Sequence, residues 1–225
     1  MVRVNCFVSK YFIVGVFVLR VFVSPLGFHE DVVLKLLTEY RAGPSDRLFI
    51  VTCGLVGGVK SAYESLKAMC IRQGFPEPEL IELDCNDVYG SLKILSEKLG
   101  SVDADEYVLE IGAGMRIAGY MALFTLIKHG RRFEIHYRSE GTGLTLTIPW
   151  EYLDLLLHGL RDSEHRVLKL IVENPGITVK ELALMLERKE KSIRNIVSQL
   201  KGKGLVEKKG PHEKLYPTKM AEALI

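Results

Sequence analysis

Two hydrophobic periods alternate along the first two thirds of the chain. Short, continuously apolar runs at residues 16–23, 47–53 (RLFIVTC), 80–84, 107–111, 133–138 and 144–148 predict strands. Between them, apolar positions recur three or four apart. Residues 29–40 place Val32, Val33, Leu36 and Leu37 on one side, and residues 60–73 and 115–129 also predict helices. A further helix runs to about residue 98, with Asn86 or Asp87 placed to cap it. Turn residues punctuate the pattern: Ser24-Pro25-Leu26-Gly27-Phe28, Gly43-Pro44, the glycine-rich loop Gly54–Gly58, Gly112-Ala113-Gly114, and a hairpin turn at Glu140-Gly141-Thr142-Gly143. Strands alternating with helices imply right-handed crossovers. The expected fold is α/β, a Rossmann-like, mostly parallel sheet over residues 16–149 whose closing hairpin adds antiparallel edge strands.

After residue 149 only the helical period continues at first. Residues 150–162 read as a linker helix with Leu153, Leu156, Leu157 and Leu160 along one stripe, suited to domain or dimer packing. Residues 163–173 form a helix ending at Asn174-Pro175-Gly176, and Thr178 with Glu181 makes a capping box for the next. A third helix covers 191–201, with Ile193, Ile196, Val197 and Leu200 expected to face a core. Two short extended runs about Gly210-Pro211-His212 complete a winged helix-turn-helix domain over residues 163–225.

The N-terminal arm, residues 1–15, has no assigned role and reads as an arm or an overlong start. The apolar run at 11–19 is too short to span a bilayer, Lys10 and Arg20 flank it, and no small-x-small cleavage site follows. A cytoplasmic protein without membrane attachment is expected. Cys6, Cys53, Cys70 and Cys85 are widely spaced, which predicts buried free thiols rather than a zinc site or a disulfide framework.

Charge sharpens the division. The chain carries 30 Lys+Arg and 28 Asp+Glu, a net +2, but residues 163–225 hold net +5 and the remainder −3. On the third helix Lys191, Ser192, Arg194, Asn195, Ser198 and Gln199 form a polar, positive face of the kind that reads base edges. Lys189, Lys201, Lys203, Lys208, Lys209 and Lys214 are placed to meet phosphates. The blander role for these residues is the solvated face of a dimerisation module. Double-stranded promoter DNA is the expected partner.

In the larger domain, open α/β sheets bind ligands at the carboxyl ends of the strands. Three loops qualify: Ser24–His29, Thr52–Gly58 and Glu110–Arg116. In the last, glycines let backbone approach a ligand, a helix N-terminus adds donors, and Arg116 supplies a guanidinium, which together suit a phosphate. GLVGGVK and GAGMRIAG do not match a dinucleotide fingerprint, and no P-loop occurs, so no cofactor is expected. The six histidines are scattered without HExxH, so no metal site is expected. Asp84, Asn86 and Asp87 are better placed to cap a helix than to hold a ligand. Glu110 is expected to point into the crevice or an interface. Cleavage of an RNA chain through a positioned 2′-hydroxyl would require little beyond Ser24 and Arg116.

The segments VFVSPLGFHEDVVLKLL, GLVGGVKSAYESLKA and LEIGAGMRIAGYMAL, in this order and followed by a wing, resemble the archaeal CRISPR-associated transcriptional regulators, over about residues 20–220. Those proteins join a Rossmann-like CARF domain to a C-terminal winged helix-turn-helix. The resemblance implies a homodimer whose paired CARF domains bind a cyclic oligoadenylate, most often the tetra-adenylate, and so tune DNA binding in antiviral defence. It places the first ligand motif on Ser24, Leu26, Gly27 and Phe28 and the second on Ala113, Gly114, Met115 and Arg116. Gly54, Leu55, Gly57 and Gly58 would cover the ligand. Two positions depart from the family pattern: Gly112-Ala113-Gly114 lacks the hydroxyl common before the second glycine pair, and Pro25 removes a backbone donor. A sensor without catalysis is therefore expected, with a dimerisation-only domain and a metal-independent ring nuclease as the alternatives.

Overall fold

The computed structural model describes residues 18–139, 142–210 and 213–225, and the chain divides between Thr147 and Ile148 into two compact units. The expected strand at 16–23 lies partly outside the described residues, and the arm at 1–15 wholly so.

In the first unit β1 (Arg20–Pro25), β2 (Arg47–Thr52), β3 (Pro78–Glu82), β4 (Glu106–Glu110) and β5 (Phe133–Arg138) run parallel, in the order β3-β2-β1-β4-β5. The helices α1 (Asp31–Glu39), α2 (Gly57–Gln73), α3 (Val88–Gly100) and α4 (Arg116–Lys128) alternate with them. β6 (Thr145–Ile148) lies beside β5 as the last strand, and so short a connection can only bring it back antiparallel. The central strands are apolar at nearly every position because helices cover both faces. Phe22, Leu48, Ile50 and Val108 pack against Leu36, Leu37 and Leu66 in one such layer.

Three local expectations change. Ser24 and Pro25 belong to β1, in register with Ile50 and Val51, rather than to a turn. Proline is tolerated at the end of a strand, where it removes only one ladder donor. Gly57 and Gly58 form the first turn of α2, so the glycine-rich loop is only residues 53–56. The cysteine reading is corrected as well: Cys53 and Cys85 form a disulfide, with Cα atoms 5.7 Å apart. They follow β2 and β3, whose register pairs Thr52 with Glu82, so the sheet brings them together across 32 residues. Cys70 is a buried free thiol, and burial pushes it up to about 11.

The second unit contains α5 (Trp150–His158), α6 (Asp162–Glu173), α7 (Val179–Met185), α8 (Glu190–Gly202), the ribbon β7 (Val206–Lys209) and β8 (Lys214–Pro217), and α9 (Lys219–Leu224). Val167, Leu168, Ile171, Leu182, Ile193, Val197, Leu200 and Leu215 form its core. The Thr178 hydroxyl accepts the Glu181 N–H at 3.3 Å, and the Glu181 carboxylate accepts the Thr178 N–H at 2.8 Å. Helix α5 enters this core through Leu155 and buries Leu153, while Leu156 and Leu157 stay exposed. The expected leucine stripe is thus rotated toward this unit. Helix α9, capped by the Thr218 hydroxyl on the Ala221 N–H, was not anticipated, because six residues are too few to show a helical period.

The disulfide closes a loop worth about 3–4 kcal/mol in the chain-entropy account. Peptide mass spectrometry of unreduced protein should find Cys53 joined to Cys85, with Cys70 alkylated only after unfolding. Recovery of Cys53 and Cys85 as separately alkylated peptides without reduction would remove the pairing.

Candidate ligand crevice and nucleic-acid interface

β1 and β4 are neighbours whose crossovers leave in opposite directions along the sheet, so a crevice opens between the loops at their carboxyl ends. The two loops touch through backbone. A Cβ on Gly114, at φ +63°, would lie 2.6 Å from the Leu26 carbonyl carbon, and one on Gly27 would lie 3.0 Å from the Gly114 Cα. Only glycine permits this approach. Phe28 leans the other way and covers the start of α2, where a Cβ on Gly58 would meet its ring at 2.6 Å. The loops after β1, β2 and β4 thus converge.

The expected ligand residues divide by exposure. Phe28, Gly57, Gly58, Met115 and Arg116 are exposed, and Gly27, Gly54, Leu55 and Gly114 are half-buried. Ser24, Leu26 and Ala113 are buried and shape the crevice from beneath. The Ser24 hydroxyl donates to the Pro25 carbonyl at 2.9 Å, so the hydroxyl proposed for cleavage chemistry is turned into the fold. Helices α1, α2 and α4 begin here without a side-chain cap, whereas Asp87 caps α3 by accepting the Gly90 N–H at 2.9 Å. Helix α1 carries Asp31 in its first turn, whereas α2 and α4 have no acidic residue there, so two positive helix ends remain for an external anion. Asp84 accepts the Asn86 N–H, so the acidic cluster serves the chain's own turn.

Glu110 does not open on the crevice. It is fully buried and accepts the Gly112 N–H at 2.5 Å, which sets the start of the ligand loop. Its other oxygen lies 2.5 Å from His136 Nδ1, and His136 Nε2 lies 3.3 Å from Glu39. Arg138 completes the chain by donating to Glu39. Nearby, Tyr40 donates to Glu134, and burial followed by that carboxylate's charge pushes the phenol well above its ordinary value. Sequence reasoning left His136 among scattered histidines. The signal is the parallel register, which sets Glu110 beside His136. Among the described residues no group of His, Cys, Asp and Glu is arranged to hold a metal ion, and no helix is long and apolar enough to cross a membrane.

In the second unit Lys191, Ser192, Arg194, Asn195, Ser198 and Gln199 are all exposed on α8, opposite its buried stripe of Ile193, Ile196, Val197 and Leu200. Lys189, Lys201, Lys208, Lys209 and Lys214 are exposed too. Two members of the expected set have structural duties. Lys203 reaches Glu164 at 3.0 Å, and Gln199 accepts from Arg161 at 2.5 Å. Glu164 is fully buried on α6 and clamps α8 in place. Arg161 first, then Lys203, hold its carboxyl down to about 2 against the opposing effect of burial.

A family model for the Csa3 CRISPR-associated Rossmann-like domain matches residues 20–149, and one for the sugar-specific transcriptional regulator TrmB matches residues 155–222. The CRISPR locus-related protein Csa3 of Saccharolobus solfataricus is 29% identical over 192 residues, which cover 84% of this chain and 81% of that one. Among solved structures, the multiple antibiotic-resistance repressor MarR of Listeria monocytogenes aligns at 27% identity and TM-score 0.29, over 33% of this chain and 53% of its own. Csm6 of Enterococcus italicus, bound to cyclic hexa-2′-fluoro-hexa-dAMP, aligns at 11% identity and TM-score 0.44, over 83% and 55%. The chain spans about half the length of these two structures, and both scores fall short of a shared overall fold.

The Glu164 clamp has a pH signature. Its folded value lies below the ordinary 4.5, so its stabilisation is complete above about 4.5 and is lost as pH falls toward 2. Glu164→Gln should cost up to about 3 kcal/mol at neutral pH. Melting curves of both proteins should converge as the pH falls through that window. A gap that is independent of pH would refute the assignment.

Proposed function

Because this chain belongs to the Csa3 family of CRISPR-associated regulators, a CARF-like Rossmann domain followed by a DNA-binding winged helix, we propose that it acts as a homodimer whose grip on promoter DNA is set by a cyclic oligoadenylate, cyclic tetra-adenylate, held at the paired crevices. The observation that carries this reading is the convergence at the β1/β4 crevice. Two loops meet there backbone to backbone, α2 and α4 present N-termini with neither a side-chain cap nor an acidic first turn, and Arg116 is exposed on the first turn of α4. A ring of phosphates needs many fixed donors and little side-chain bulk, and this arrangement offers both.

The dimer is supported by α4, which is apolar on two sides. Ala118, Met121, Ala122 and Leu126 are buried within the unit, while Ile117, Tyr120, Phe124 and Ile127 form a second, exposed stripe. A helix apolar all round is one that is covered all round, and a second copy would cover this face. The stripe starts beside Met115 at the crevice, so pairing along it would bring two crevices together under a two-fold axis, matching a symmetric ring.

We infer that the ring is read and not cut, because the Ser24 hydroxyl is spent inside β1. The effector then shifts DNA affinity by binding one of two states of the dimer more tightly.

Titrating the promoter-bound protein with cyclic tetra-adenylate should change promoter affinity about tenfold, within the usual range of such couplings. An unchanged affinity at saturating ring would remove the effector role, and linear products would remove the sensor-only reading. Phe124→Glu should convert the dimer to a monomer by light scattering and abolish the response to the ring. A dimer that persists would move the interface elsewhere.

A further inference from the structure

The wing folds against α8 to leave a cleft of about 260 Å³, lined by Val179, Arg194, Val197, Ser198, Lys201, Lys208 and Glu213. Three cations and a hydroxyl face one carboxylate. Glu213 lies 2.9 Å from Lys208, and Arg194 and Lys201 act on the same carboxylate across the cleft. The ribbon register explains the aim of Lys208. It pairs with Leu215, which is fully buried, so both lie on the inner face, toward α8. Glu207 pairs with Tyr216 and lies on the opposite face. Glu213 closes the wing turn at φ +47°, its N–H donating to the Gly210 carbonyl at 3.2 Å.

We propose that this cleft is a seat for a DNA backbone phosphate and that Glu213 is an internal counter-ion occupying it, which a phosphate must displace when duplex binds. The seat has the composition of a phosphate site, since it offers a guanidinium, two ammonium groups and a hydroxyl at the junction of recognition helix and wing. The carboxylate bonded to Lys208 stands where a phosphate oxygen would stand. Lys208, then Arg194 and Lys201, hold the Glu213 carboxyl below its ordinary value, so it stays an anion throughout the neutral range. Glu213 therefore weakens duplex binding without regard to sequence. With Arg194 and Ser198 assigned to the phosphate seat and not to base edges, it lets the remaining exposed side chains of α8 decide which sites are held. This assignment rests on duplex binding by α8 and the wing.

The test is duplex affinity of the full chain at one fixed salt concentration. Glu213→Gln should tighten promoter binding about five-fold, the size of one solvated ion pair. Non-cognate duplex should gain equally, because phosphate contacts carry no sequence information. Glu207→Gln makes the same change in net charge on the other face and should gain less than about two-fold. In a Lys208→Gln background the gain from Glu213→Gln should vanish. Equal gains from Glu207→Gln and Glu213→Gln would overturn the proposal, since net charge alone would then explain them. A gain confined to the cognate promoter would also overturn it. If the unaltered protein binds no duplex, the DNA-binding reading falls with it. Melting temperatures of the variants identify any loss that comes from unfolding.

Discussion

The parallel pairing of β1 with β4 is the contact on which the rest of the first unit depends. It joins the two halves of the sheet, since β2 and β3 lie on one side of it and β5 and β6 on the other. Val21, Phe22 and Val23 are fully buried within it. Chain reversal at this seam parts the helices and opens the crevice. The contact of Gly27 with Gly114 is the same seam continued past the last ladder bond. A side chain at either glycine would force the loops apart.

The crevice is also held from behind. Glu110 would be a costly buried charge on its own, yet each of its oxygens has a partner, and one of these is the N–H that starts the ligand loop. The relay through His136 to Glu39 and Arg138 runs from this buried carboxylate to the end of α1. Loop position, strand register and α1 are tied into one polar network, so the fold itself sets the backbone of the crevice.

The winged unit treats charge in a comparable way. Buried Glu164 draws Lys203 and Arg161 inward and holds α8 at a fixed pose, while exposed Glu213 faces the cations of the DNA-facing cleft. One carboxylate stabilises the reading head. The other sets how tightly that head grips any phosphate. The net +5 of residues 163–225 therefore overstates the positive charge that is free to act at the interface.

Hydrophobic period alone determined the alternation of strands and helices, the place where the α/β unit gives way to a winged helix, and the split of α8 into a core stripe and an exposed polar face. These are local properties, written within a few residues of each other. The motif order singled out the loops around Phe28, Gly58 and Arg116, which the fold brings close to one another. Only the tertiary structure decided the pairing of Cys53 with Cys85, the burial of Glu110 against His136, the inward turn of the Ser24 hydroxyl, and the second apolar stripe of α4. Each of these depends on strand register or on which side of a helix stays uncovered. Register joins residues tens of positions apart, and nothing in their spacing along the chain encodes it.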